Sequence, residues 1–349
     1  GTVTAAAGGA SVALSGGTIS ALGSCTVTVS VRSATGGLYT NTIPAGGVTT
    51  TNGGANSVPA TATLSVGQPG VAKAFAPSAF VAGGTSVLTI TLSNPNAAAA
   101  TISASPALDV LPAGMTIANP PAPSTTCGTT ISAPNGGNTI GISGGTIPAN
   151  SSCTVTVSVT SSTPGGVTNA IASGALNTSA GSNGDPASAN VTVLARPTIA
   201  KSFAPAAIAP TGTSTLTIVL TNTNAVDLTS AGFTDTFPVS PGAMTVASPL
   251  TISNTCGGTL LDNLGGALTA GDLGLRLSVG AIPANSSCTI TVATTASTPG
   301  IYSNSIAAGA LTGTALGVAL SNATAVTADL TVSVQPPSIA KVFAPNPVS

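Results

Sequence analysis

Histidine, glutamate and tryptophan are missing from the 349-residue chain, and its seven acidic residues are all aspartate. The commonest general bases and metal ligands therefore go together. The aspartates are scattered, with no D-x-D-x-D-G loop to hold calcium. Charge is scarce too: six Lys and Arg give a formal net charge of -1. That leaves no basic footprint for nucleic acid or an anionic membrane. Aromatic residues make up 2% of the chain, too few for a sugar-stacking platform. No apolar run approaches the roughly 20 residues of a membrane-spanning helix. No charged segment followed by an apolar one opens the chain at Gly1, so any secretion signal is expected outside this stretch. The composition predicts a protein that is not an enzyme and needs no metal or cofactor.

What is abundant is threonine, serine, alanine and valine, with 42 glycines and 26 prolines. This is a β-protein composition with turn-rich connections. Internal repeats set the organisation. The segment GGTISALGSCTVTVSV (16–31) returns as GGTIPANSSCTVTVSV (144–159) and VGAIPANSSCTITVAT (279–294). A Thr/Val-rich strand then leads into VAKAFAP (71–77), IAKSFAP (199–205) or IAKVFAP (339–345), and these contain all three lysines, Lys73, Lys201 and Lys341. Strands such as SVLTITLSN (86–94) alternate strictly, one face apolar and the other mostly threonine. About seven strands per repeat, with turn signals every 8 to 12 residues, predict an all-β fold of tandem immunoglobulin-like β-sandwich domains in an extended array. The expected boundaries are the back half of one repeat over 1–68, complete repeats over 71–196 and 197–336, and the first strand of another over 337–349. The window thus reads as a piece of a longer array.

Five cysteines fit this division. Pairing is expected for Cys127 with Cys153 and for Cys256 with Cys288, while Cys25 is unpaired in this window and its partner is expected before Gly1. Paired cysteines imply oxidation outside the cytosol; free buried thiols are the competing reading. Asn-x-Ser/Thr sequences at Asn150, Asn177, Asn190, Asn285 and Asn322 arise readily in so Ser/Thr-rich a chain.

Alternation also assigns faces to the sparse polar residues. Lys73 shares a face with Val71 and Phe75, and Lys201 with Ile199 and Phe203. Asp109 falls with Ala107 and Leu111, and Asp235 with Phe233 and Phe237. Asn169 falls with Val167 and Ile171, Asn304 with Tyr302 and Ile306, and Asn41 with Tyr39 and Ile43. Each complete repeat thus offers one Lys, one Asp and one Asn on core-facing positions. An unpaired buried ammonium is costly, so each lysine requires a partner. A plain Lys–Asp ion pair is one solution. Unrelated local roles are another, with the lysine extending to a domain seam and Asp and Asn bonding nearby backbone.

The combination resembles the intramolecular isopeptide sites of immunoglobulin-like domains in bacterial pilins and surface adhesins. The resemblance implies Lys73 and Lys201 as nucleophiles, Asn169 and Asn304 as electrophiles, and Asp109 and Asp235 as the assisting acids, with half-sites at Asn41 and Lys341. The chain as a whole is similar to a conserved repeat domain of unknown function found in tandem in very large bacterial surface proteins. That likeness is carried by K-x-F-A-P, the L-T-I-x-L-x-N strand, D-x-x-P, the G-x-I-P-A-N-S-S-C strand and G-x-Y-x-N-x-I. It implies secretion and a cell-surface stalk, fibre or filament whose partners are neighbouring repeats and lateral copies in a fibre. Two alternatives remain: an adhesin whose repeats bind glycan or protein, and a short subunit polymerising by strand donation. A 337–349 strand joined to Gly1 would leave roughly half a domain missing, which counts against the second.

Overall fold

The computed structural model describes residues 1–33, 36–334 and 339–342. Residues 337–338 and 343–349 of the expected final strand lie outside them. Every helix or strand assigned among the described residues is a β-strand, and none of those residues forms a helix long and apolar enough to cross a membrane.

Two sandwiches carry the bulk of the chain. In the first, Gly70–Ala76 pairs antiparallel with Thr85–Asn94, which pairs with Ser151–Ser161, which carries Met115–Ile117 on its far edge. The alternation does what a half-buried sheet requires: Leu88, Ile90 and Leu92 lie beside Val157, Val155 and Cys153 on the core face, all at most 3% exposed. The opposing layer contains Gly165–Ile171 paired with Ala187–Leu194, together with Ser105–Val110 paired with Thr139–Ser143. The second sandwich repeats the plan with Thr198–Ala204, Thr213–Asn222, Ser286–Ala296 and Met244–Val246 in one sheet. Its opposing layer contains Leu228–Thr236 with Gly274–Ile282, and Gly300–Ile306 with Val326–Val332. A hairpin, Thr312–Ala315 with Val318–Ser321, lies on the free edge of Leu228–Thr236, where the first sandwich has the shorter pair Asn177–Thr178 and Gly181–Ser182 bridged to Ile102. Immunoglobulin-like β-sandwiches are the fold the sequence predicts.

The lysine-bearing strand serves both layers. After Ala76 the chain passes Pro77, which has no N–H to offer a ladder, and resumes as Ala79–Val81 in parallel with the last strand, Ala187–Leu194. Ala207–Ile208 pairs in parallel with Val326–Val332 in the same way. The carbonyl freed at each crossover is satisfied by a buried serine: Ser86 Oγ donates to Pro77 O at 2.7 Å and Ser214 Oγ to Pro205 O at 2.6 Å. The proline of K-x-F-A-P thus marks a change of sheet.

Two disulfides, Cys127–Cys153 and Cys256–Cys288, tie the segment before each core strand to the start of Ser151–Ser161 or Ser286–Ala296. Closing loops of 26 and 32 residues stabilises each module by about 3 kcal/mol. Cys25 is exposed and unpaired. Tyr302, fully buried, donates from its hydroxyl to Thr298 O at 2.8 Å, a tyrosine-to-backbone bond familiar in immunoglobulin-like sandwiches.

In the described part of 1–66, Thr2–Thr4 pairs with Ala13–Ser15 and Gly37–Ile43 with Ala60–Val66. Apolar side chains such as Leu14 and Ile43 stay open, each 47% exposed. Asn41, core-facing by alternation, is exposed as well. Among the described residues no second layer covers that face.

Candidate functional site: a buried lysine, aspartate and asparagine

Lys73 lies on the edge strand of its sheet, so its backbone is accessible while its side chain points inward and is 0% exposed. There the ammonium meets the Asp109 carboxylate, with Nζ 2.7 Å from Oδ2. Asn169 reaches the same oxygen, its Nδ2 donating at 3.0 Å. Asp109 and Asn169 are 1% and 0% exposed. The second module repeats the arrangement. Lys201 Nζ stands 2.7 Å from Asp235 Oδ1, and Asn304 Nδ2 donates to Asp235 Oδ2 at 3.1 Å, all three side chains being fully buried. The structure therefore brings together Lys73, Asp109 and Asn169, and likewise Lys201, Asp235 and Asn304. Neither trio includes Asn41 or Lys341.

Three strands from two layers supply each trio. The lysine comes from the first strand, the aspartate from a strand of the opposing layer, and the asparagine from the strand beside the last. In Phe233, Asp235 and Phe237 the alternation holds and all three are buried. In the first module it does not. A register irregularity between Ser105 and Asp109 turns Ala107 out to solvent and Leu108 inward. Asp109 still points into the core because the bulge lies before it.

The low-polarity surroundings act on both lysines and on Asp235. Burial lowers the pKa of Lys73 and Lys201 from the ordinary lysine value, against the opposing pull of the adjacent carboxylate. Burial likewise raises Asp235, against the attraction of Lys201 and the hydrogen bonds from Lys201 and Asn304. Desolvation favours a neutral amine beside a neutral acid. The hydrogen bonding is incomplete in a telling way: Asn169 Oδ1, Asn304 Oδ1 and Asp109 Oδ1 are buried without a partner. Each buried acceptor left so costs about 1–3 kcal/mol. With the amide turned over, a protonated aspartate would donate to the asparagine oxygen, and the same contact would polarise the carbonyl for attack by the amine.

Two further asparagine sets escaped sequence reasoning. Asn183 and Asn322, both buried, accept from Leu176 N and Leu311 N and donate to two carbonyls each, and half-buried Asn56 makes the equivalent bonds to Val48, Pro44 and Val58. Their partners are backbone groups up to 15 residues away, so no local motif announces them. Asn322, at 3% exposure with its amide fully engaged, is no open glycan acceptor. The second set, Asn94 with Asn96 and Asn222 with Asn224, lies where successive modules meet.

No curated protein matches the chain. Among solved structures, one described as BspA_C_WT matches at 11% identity and a TM-score of 0.38, over 76% of this chain and 96% of its own. The C-terminal domain of the Streptococcus agalactiae AgI/II polypeptide BspA matches at 12% identity and 0.35, over the same shares. A protein of unknown function from Porphyromonas gingivalis W83 matches at 10% identity and 0.22, over 76% of this chain and all of its own. The family model for a domain of unknown function, DUF7933, matches residues 1–66, 69–193 and 197–332, and the chain belongs to that family.

Proposed function

We propose that the chain is part of a secreted structural array at a bacterial cell surface, whose modules are each stapled by a Lys–Asn isopeptide bond formed within the fold. The observation that carries this reading is the twofold convergence of Lys, Asp and Asn in the module cores, with unmet acceptors on both asparagines. The neutral amine Nζ attacks the asparagine Cγ while the protonated aspartate hydrogen-bonds Oδ1. A proton then passes from the nitrogen through the carboxylate to Nδ2. The Nζ–Cγ bond forms, the Cγ–Nδ2 bond breaks, and ammonia leaves with no net change elsewhere. The fold supplies the proximity. Each module reacts once, as a maturation step, and the protein turns over no substrate.

The staple suits a load-bearing role. Tension enters a module through its lysine strand and leaves through the strand beside the asparagine strand. A bond from Lys201 to Asn304 takes residues 202–303 out of the extensible path, and one from Lys73 to Asn169 does the same for 74–168. Paired cysteines favour an oxidising compartment, and the surface location rests on the resemblance to repeats of large surface proteins. Pulling the full chain by its ends under reducing conditions tests the reading. Lys201→Met should add roughly 350 Å of unfolding length to the second module at about 3.4 Å per residue. Equal lengths for wild type and variant would refute the staple.

A further inference from the structure

The residue gripped at each module entrance belongs to the module before. Gly67 follows the strand Ala60–Val66, yet its N–H donates to Asn96 Oδ1 at 3.0 Å and its carbonyl accepts from Asn96 Nδ2 at 2.8 Å. Ala195 follows Ala187–Leu194, and Asn224 holds it by the same two bonds, at 2.7 and 2.9 Å. A single side-chain amide thus pairs with both polar groups of one peptide residue, as a neighbouring strand would.

The amide is held in place for this. Asn94 Oδ1 accepts from the backbone N and the Nδ2 of Asn96, and its own Nδ2 donates to Ala98, Ile147 and Pro148 carbonyls. Asn222 does the same for Asn224 with Val226, Ile282 and Pro283. Asn94, Asn222 and Asn224 are at most 6% exposed. Around the second clasp, fully buried Leu194, with Ala79, joins the apolar cluster of the following module. Arg196 Nη1 approaches Ser321 Oγ at 3.5 Å. Around the first, Gln68 lies against Gly184, and a Cβ on Gly67 would meet Pro95 Cγ at 2.5 Å. At both clasps the amide bonds only the backbone N–H and carbonyl of the held residue, Gly67 or Ala195, so the grip is on an extended peptide and not on a side chain.

We propose that Asn96 and Asn224 are the receiving half of an inter-module joint: each captures the exit peptide of the preceding module and fixes the orientation of successive modules. The site takes an extended peptide unit from the neighbouring repeat. It is independent of whether Lys201 and Asn304 are cross-linked. Without this joint, short connections leave relative module motion as the default.

Amide exchange and residual dipolar couplings on the full chain test it. In Asn224→Ala, exchange at the Ala195 amide should rise at least tenfold while core amides of Thr213–Asn222 keep their protection. The alignment of the second module should separate from that of the first. Asn224→Asp, which keeps the acceptor and loses the donor, should raise Ala195 exchange by less. Asn96→Ala should repeat the effect at Gly67. Unchanged Ala195 exchange, unchanged relative alignment, or loss of protection throughout the second module would each overturn the proposal, the last by making Asn224 a folding residue.

Discussion

Asp235→Ala should keep Lys201 as a free amine and lower the stability of the second module by at least about 5 kcal/mol. Two causes combine. Removing the acid blocks the proposed cross-link, and closing a loop of about 100 residues is worth about 4.7 kcal/mol in the chain-entropy account. Removing it also strands Lys201 in the core, and breaking a buried pair at one partner costs about 3–5 kcal/mol. Neighbouring effects are not additive, but either alone is a large part of the 5–15 kcal/mol that holds a typical domain. Lys201→Met should cost less, because it also loses the staple but the Asp235 left behind keeps Asn304 as a hydrogen-bond partner and is shifted by burial toward its neutral form. Denaturant unfolding of both variants checks the order, and an Asp235→Ala midpoint equal to wild type would contradict it.

The second large effect is in pH dependence. In Asn304→Ala no electrophile remains, so Lys201 stays titratable with its folded value lowered by burial. Between that lowered value and the ordinary lysine value, the unfolded chain holds a proton that the folded chain has lost. Stability therefore rises with pH across this window, by up to about 1.4 kcal/mol per pH unit. Asp235 has the opposite sign, since burial raises its folded value. Its contribution is present below the ordinary carboxylate value and is lost as pH climbs through the raised one. The proposed cross-link would make Lys201 of the wild type an amide nitrogen, and the alkaline rise should then vanish. Urea titrations across the alkaline range check this, and a wild-type rise matching that of Asn304→Ala would show that the amine is still free.

Much of this architecture is legible in the sequence because a β-sandwich writes its burial into alternate residues. Phe233, Asp235 and Phe237 read correctly as one face, and so do Leu216, Ile218 and Leu220. Alternation misleads where the backbone breaks step. Ala107 reads as inward and Leu108 as outward, and the irregularity before Asp109 exchanges them. Asn41 reads as inward from its strand alone, but burial needs a second layer that the described residues do not provide. The asparagine clasps were illegible for another reason. Asn in a turn suits many roles, and the groups held by Asn96 and Asn224 are each 29 residues back in sequence. The parallel pairing of Ala79–Val81 with the last strand is equally non-local.

Intact mass of the mature, non-reduced chain tests the central claim most directly. Two isopeptide bonds release two ammonia molecules, so the mass should fall about 34 Da below that of the disulfide-bonded sequence. Digestion should yield branched peptides joining Lys73 to Asn169 and Lys201 to Asn304. Asp109→Ala and Asp235→Ala should each restore about 17 Da beyond the mass of the substitution. A mass deficit accounted for by the disulfide hydrogens alone, with linear peptides at both lysines, would contradict the account.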